Sequence, residues 1–462
     1  YAGGHGGKVY ANPDIRAGHF DLDLVRDMNQ TLDGDRPEFD LCYDYVHGDH
    51  TLPYAARNTT EQIQDLQRRS IANMMPLLVN LPSQMSFVDD YRRHMADGKL
   101  QQGKKSRKLP TENPEWGLWQ KNRMDGRQAI IYRAALTYGQ AFVAVNNMDP
   151  ENIRFDILST RNTVAYFRDP VNDIRPSHVL TIATYPRPKT TKTMAVDGLA
   201  ILWDDVYRWE MVYNNDGEFV VKGKPFAHGL GKCPVIRYTC FIDDEGRTMG
   251  VVKPAITLQD RLNQATFSTN VTADFGAFKV RYAAGLIPNF KRDPDTGEPV
   301  LDANGEPIPI PVAVSQAELL MSDDPTTKFG QLEETPLDGY LRQEEQAARN
   351  FTMISQFPPL ASISNLANLS AEAWAAAEAE FIRWIDSFHI SLGESHEELF
   401  RTAALAMGDE EGAKSYGGEV RWRDMTTKSS GVQMDGLAKM AQFLGAPNEG
   451  LWEMIPGMTN GT

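Results

Sequence analysis

The chain has 462 residues and carries 62 Asp and Glu against 47 Lys and Arg, a formal net charge of −15. With 41% hydrophobic and 24% charged residues it has the make-up of a folded globular protein of about three domains. The acidic balance excludes a broad electrostatic grip on nucleic acid, because phosphates would be repelled, but not the passage of nucleic acid without sticking.

The first 50 residues hold ten acidic and four basic side chains and read as a draped arm with a short helix near Asp21 to Gln30. From Thr60 to His94, Ile63, Leu66, Ile71, Met74, Leu77 and Leu78 recur at helical steps, with Pro76 and Pro82 as interruptions. Residues 97–110 form a polar loop with five basic residues and one acid. Its Lys104, Lys105, Arg107 and Lys108 are either a solvated run or a contact for DNA or the capsid. Helix returns over 115–138 and breaks at Tyr138-Gly139. Strands are expected at Ala141–Val145, Val164–Phe167, Val179–Tyr185, Val206–Val212 and Phe219–Val221, with Asn214-Asn-Asp-Gly217 turning the last pair.

Pro254 suits the first turn of a helix running to about Thr272. Residues 285–330 are rich in Pro and Gly, carry a net charge of −5, and hold turn signals at Asp293–Gly297 and Asp302–Gly305. Alternation from Ile308 to Val314 predicts a strand. A second helix spans Leu337 to Ser355 and stops at Pro358-Pro359. The uncharged stretch 360–370 follows. Ser370 then caps a long helix to about Met407, with Phe381, Trp384, Ile385, Phe388 and Leu392 on its apolar face and a kink at Gly393. Trp374 and Phe381 read as core. A strand at Glu419–Arg423 and small helices at 432–444 and 448–455 close the chain. The fold class is α+β, mixed.

The residues do not assemble into a known catalytic pattern. Gly3 to Lys8 fails the phosphate-loop spacing twice. His396-Glu397-Glu398-Leu399-Phe400 lacks the second histidine of HExxH. Asp21-Leu22-Asp23 is the one acidic pair considered for a metal, and solvation is the ordinary fate of such a pair. Cys42, Cys233 and Cys240 show no CxxC spacing, so reduced thiols are expected in place of disulfides or zinc. No apolar run reaches the length of a membrane span, and no secretory leader is expected. No enzyme activity, cofactor or metal is predicted.

The order of the parts is more specific than any motif. Leu118-Trp-Gln-Lys-Asn-Arg-Met-Asp125, Ala134-Ala-Leu-Thr-Tyr-Gly-Gln-Ala-Phe-Val143, Lys232-Cys-Pro-Val-Ile-Arg237, Gly250 with Leu258-Gln-Asp-Arg-Leu-Asn263, and Asn368-Leu-Ser-Ala-Glu-Ala373 follow one another over about 300 residues. In this order the chain resembles the portal proteins of tailed bacteriophages, of the siphophage Gp6 type. The resemblance implies a portal-type fold: wing (1–250), first stem helix (251–275), clip (276–336), second stem helix (337–357), tunnel loop (358–369), long wing helix and strand (370–424) and a short crown (425–462).

It implies a homo-oligomeric ring of twelve at one capsid vertex of the virion, assembled in the host cytoplasm. Double-stranded DNA is packaged and ejected through its axis. Terminase, head–tail adaptor, major capsid and scaffold proteins are the implied partners, without a membrane. The tunnel loop would place Leu360, Ala361, Ser362, Ile363, Ser364, Asn365, Leu366 and Asn368 at the channel. Asp338, Arg342, Glu344, Glu345 and Arg349 would line the stem or join subunits, or else be ordinary solvated helix charges. A metal-dependent nuclease or hydrolase built on the acidic arm, and another ring-forming head protein such as an adaptor, are the competing readings.

Overall fold

The computed structural model describes residues 10–11, 18–56, 60–93, 113–187, 189, 195–277, 281–284, 290–293, 296–302, 305–308, 328–331, 336–356, 371–423 and 442. It divides into two compact units. One comprises Tyr1–Asp49, Asn73–Thr257 and Thr352–Thr462; the other comprises His50–Ala72 and Leu258–Phe351.

In chain order the elements begin with strand β1 (Tyr10–Ala11), helices α1 (Leu22–His47), α2 (Glu61–Arg69) and α3 (Met75–Met85), and strand β2 (Val88–Arg92). Helices α4 (Pro114–Lys121) and α5 (Met124–Tyr138) lead into β3 (Gln140–Asn146), β4 (Arg154–Leu158), β5 (Thr163–Phe167) and β6 (His178–Thr184). Next come β7 (Gly198–Trp203), β8 (Tyr207–Tyr213), β9 (Phe219–Val221), β10 (Phe226–Ala227), β11 (Val235–Thr239), β12 (Phe241–Ile242) and β13 (Thr248–Met249). Helix α6 (Val252–Ala277), strands β14 (Arg281–Ala284) and β15 (Lys328–Gln331), helices α7 (Asp338–Ile354), α8 (Ala371–Ala406) and α9 (Glu410–Ala413), and strand β16 (Glu419–Trp422) follow.

The first unit is built on a sheet in the order β1-β5-β6-β7-β8-β10, with β9 also on β8. Pairing is antiparallel except where β1 lies parallel to β5. Both faces of β5 are buried, which explains its unbroken apolar run. Val164 and Tyr166 face α1 together with Leu180, Ile182, Ala200 and Leu202. Ala165 and Phe167 pack with Phe142 and Ala144 of the second sheet, β11-β3-β4. Tyr166 ties α1 down: its hydroxyl donates to Asp27 at 2.7 Å and lies 3.0 Å from Thr31 Oγ1.

Helix α1 corrects the expectation of a draped arm with a ten-residue helix. The buried stripe Leu24, Val25, Met28, Leu32, Phe39, Cys42 and Tyr45 continues through Pro37 to the end. The Asp21 carboxylate accepts the backbone N–H groups of Asp23 and Leu24, and so serves as the N-cap. The expected helix over 60–94 is also corrected. Pro76 opens α3 at its first turn, and Val88 to Arg92 is a strand because β16, more than 300 residues later, pairs with it. Asn122 separates α4 from α5. Its amide donates to the carbonyls of Leu118 and Ile153 and accepts from Phe155 N–H, and Arg123 takes the left-handed region at φ +54°.

Two glycines are required by close approach. Gly139 ends α5 at φ +89°, and a Cβ there would lie 2.8 Å from the backbone of Met249. A Cβ on Gly250 would lie 2.6 Å and 2.7 Å from the carbonyl oxygens of Leu136 and Thr137. Helix α8 carries Phe381, Ile385, Phe388, Leu392, His396, Leu399 and Ala403 buried at three- and four-residue steps. It runs through Gly393 without interruption, against the expected kink, because a lone glycine keeps its backbone hydrogen bonds and merely lowers helix propensity. The turns at Asp293–Gly297 and Asp302–Gly305 form as expected. Most of the strand expected from Ile308, the side chain of Trp374, and the closing helices at 432–444 and 448–455, Gln442 apart, lie outside the described residues.

Candidate functional site

The stem candidates fall on α7. Asp338, Arg342, Glu345 and Arg349 are spaced by four, three and four residues, which puts them on one stripe of the helix, and all four are exposed. Their charges alternate in sign, so the stripe is formally neutral. Glu345 and Arg349 form an ion pair of 3.6 Å, more than half exposed on both sides. Glu344 is separated from the other four. It is half-buried and accepts a hydrogen bond of 3.0 Å from Thr266 of α6. Ala347 and Phe351 are the buried residues of α7 within the second unit.

Helix α6 is anchored in that unit by side chains from the Leu258–Asn263 motif. Gln259 and Asn263 are fully buried. Gln259 donates to the Ala72 carbonyl and to Asn263, both at 2.8 Å. Asn263 accepts Ala72 N–H at 3.1 Å and meets His50 Nδ1 at 2.9 Å. Tyr54 N–H donates to Gln264, and Asn270 donates to Ser70. The segment 50–72 is thereby fastened along α6 by amide groups, of which Gln259 and Asn263 are satisfied in a buried setting. Gln259 and Asn263 lie within the motif that carries the resemblance, and no local pattern in the sequence marks them as anchors.

In the first unit the titratable groups are used structurally. His396 is buried among Tyr132, Tyr238, Trp119 and Trp422. The Tyr132 hydroxyl donates to Gln128 at 2.9 Å, so His396 Nε2–H donates to Tyr132 and Nδ1 accepts from Tyr238. Burial lowers the His396 pKa to about 3. Gln128 also accepts Val88 N–H, linking the network to β2. Two residues on, Glu398 pairs with Arg175, Arg401 and Lys232, and although burial opposes ionisation these cations hold its carboxyl below the ordinary range. The failed zinc motif is therefore a pair of buried polar anchors.

A cavity of about 510 Å³ lies between α1, the end of α5 and the β12–β13 hairpin. Phe39, Tyr138, Phe241 and Met249 line it, and its Glu38 and Lys253 pair at 2.6 Å. Cys42 also lines it, but burial raises its thiol to about 12, which keeps it protonated and without nucleophilic character. All three cysteines are free and buried. Among the described residues, no group of three or more His, Cys, Asp or Glu is placed to hold a metal ion, and no helix is long and apolar enough to cross a membrane.

Lys104, Lys105, Arg107 and Lys108 lie outside the described residues, as do 360–369 with Leu360, Ala361, Ser362, Ile363, Ser364, Asn365, Leu366 and Asn368.

Residues 28–462 match the family model described as phage portal protein, SPP1 Gp6-like. The portal protein of Mycobacterium phage L5 is 23% identical over 338 residues, covering 70% of this chain and 65% of that relative. Among solved structures, a chain from the neck of an empty GTA particle, computed with C6 symmetry, aligns over 86% of this chain and 92% of its own at 11% identity and a TM-score of 0.44. A chain from the neck of the native GTA particle, computed with C12 symmetry, aligns over 90% of this chain and 98% of its own at 11% identity and 0.42. With the family match extending from within α1 past β16, the chain belongs to the SPP1 Gp6-like phage portal protein family.

Proposed function

We propose that copies of this chain close into a dodecameric ring at one vertex of the capsid, and that duplex DNA passes through its axis during packaging and ejection. The observation that carries the reading is the family match over residues 28–462. In this reading α6 and α7 are the stem pair, 276–336 is the clip, 358–369 is the tunnel loop, 425–462 is the crown, and the remaining residues form the wing. The clip receives terminase and later the head–tail adaptor, and the wing meets capsid and scaffold proteins. The ring is assembled in the host cytoplasm and stays in the virion. The chain supplies no catalysis; motive force comes from a separate motor.

The α7 stripe supports the proposal physically. A surface on which acids and bases alternate exerts little net pull on a phosphate backbone, so duplex DNA slides past without counterion release at each step. The Asp21 carboxylate, the competing metal candidate, is already occupied as a helix cap.

Native mass spectrometry of the purified chain, with particle images of the same sample, tests the reading. A closed ring with an open axis is the expected result. A monomer that cleaves DNA when a divalent metal is added overturns it.

A further inference from the structure

In the cavity between α1, the end of α5 and the β12–β13 hairpin, the charged groups satisfy one another. Glu38 pairs with Lys253 at 2.6 Å, and Asp243 with Arg247 at 2.7 Å. The rest of the wall is largely apolar, with Phe39, Tyr138, Phe241 and Met249, and two lining side chains, Ile242 and Met249, are 45% and 52% exposed. A volume of about 510 Å³ bounded in this way accommodates an apolar side chain offered from outside.

The border of the cavity is acidic. The hairpin turn 243–247 touches the turn 169–174, because a Cβ on Gly246 would lie 2.7 Å from Pro170. Together the two turns carry Asp169, Asp173, Asp243, Asp244 and Glu245 against Arg247 alone, a net of −4. Asp244 and Glu245 are exposed, and Arg168, just outside, is already paired with Asp205. An apolar cavity with such a border selects a basic segment that carries an apolar side chain.

The chain holds one segment of that description. Residues 99–108 carry Lys99, Lys104, Lys105, Arg107 and Lys108, and no other ten-residue stretch has five bases. With Asp97 included, the run 97–110 has a net charge of +4, equal and opposite to that of the two turns, and Leu109 directly follows Arg107-Lys108. The run lies outside the described residues, but its base is fixed on either side. Arg93 pairs with Asp409, the cap of α9, at 2.8 Å, the Asn113 amide donates to the Tyr91 carbonyl at 2.7 Å, and the Tyr91 ring stacks on Phe400 of α8. The base thus packs against α8 and α9, whereas the cavity lies against α1 and α5. One copy presents two different patches, as a heterologous contact between ring neighbours requires.

We propose that the cavity receives Leu109 of a neighbouring copy, with Lys104, Lys105, Arg107 and Lys108 of that copy lying across the acidic turns. The inference rests on the ring reading above and adds to it the residues of one contact between neighbours.

Disulfide trapping tests the contact. Lys108→Cys and Ile242→Cys are combined in one chain, which leaves every acid of the border in place, and the native Cys42, Cys233 and Cys240 are buried. Oxidation of the assembled ring with copper phenanthroline is expected to give a ladder of covalently linked subunits on a denaturing gel. The yield should exceed several-fold that of Lys108→Cys with Val220→Cys, a position 56% exposed that does not line the cavity. Adding Asp244→Lys and Glu245→Lys should cut the yield several-fold, as should high salt. If the double-cysteine chain does not assemble under reducing conditions, Lys105→Cys with Asp244→Cys carries the same comparison. A ring whose yield stays at the Val220→Cys level overturns the contact and leaves the ring reading standing. An internally linked monomer puts the run in the cavity of its own copy and overturns the contact between neighbours. A wild-type chain that forms no ring overturns both.

Discussion

At His396 two tyrosine hydroxyls leave the imidazole one tautomer and no room for a second proton. The sequence presented this residue only as half of a failed metal motif, because its partners Tyr132 and Tyr238 lie 264 and 158 positions away. Phe381, Ile385, Phe388 and Leu392 were legible as core because their spacing is local. His389, stacked on Trp422 and 3.0 Å from Ser86 Oγ, has its pKa lowered to about 4 by burial. Both histidines titrate near 6.5 when unfolded. Above that pH neither state binds the proton, and stability is flat. As pH falls from 6.5 towards 4, the unfolded chain takes up protons that the folded chain refuses, so stability declines by as much as about 1.4 kcal/mol per pH unit for each histidine. His178 and His228 shift in the same direction. Thermal melts from pH 7.5 to 5.0 are expected to fall steadily below 6.5, and His389→Gln to flatten that fall. A curve that His389→Gln leaves unchanged assigns the acid sensitivity to other groups.

Among the elements, those with a strong local period were legible to within a few residues: α7 and the strands β3, β5, β6, β8 and β9. Helix α6 runs five residues past its expected end. Strand β2 was misread as helix, since nothing in Val88 to Arg92 announces that its partner is β16. The same limit hid the purpose of Gly250. It stands in the pattern that carries the resemblance, and in the fold it allows the start of α6 to approach the last turn of α5, where Val251 N–H donates to Leu136 at 2.8 Å. Gly250→Ala drives a methyl group into two carbonyl oxygens and is expected to cost roughly 3 kcal/mol. Gly339→Ala is the control: it lies in α7 with nothing within 4 Å of a new Cβ, and is expected to stabilise by about 0.5 kcal/mol. Urea midpoints of the two variants should therefore move in opposite directions. A Gly250→Ala chain as stable as wild type shows that the hairpin yields instead of clashing.

For the whole molecule, the sequence reading set one boundary at residue 250, whereas the packing boundary falls at Thr257–Leu258 and removes His50–Ala72 from its neighbours in sequence. That transfer depends on buried amides of α6 meeting backbone groups far away in the chain, so no local pattern announces it. The α7 stripe was legible as a set of charges but not as a neutral one, because exposure and the role of Glu344 were needed to sort its members. Replacing Asp338 and Glu345 by Lys turns the stripe from neutral to +4 per subunit. In the proposed channel this change is expected to leave the ring intact, to lower the DNA packaged per capsid several-fold, and to make duplex DNA stay on isolated rings at low salt and leave at high salt. Packaging at wild-type levels, with no salt-dependent retention, removes α7 from the channel wall.

The pairing of β2 with β16 sets a schedule for synthesis. Arg92 emerges from the ribosome 327 residues before its partner Glu419. At about 5–20 residues per second, the edge of β2 waits on the order of 15–65 s for a mate. During that time Val88 and Tyr91, buried in the finished unit, have no strand to cover them, and α8 with its Phe400 has not yet been made. The second unit, whose segments end at Phe351, is fully translated before the first can close. The nascent chain thus carries β2 as an unpaired strand through most of its own translation, until β16 is made.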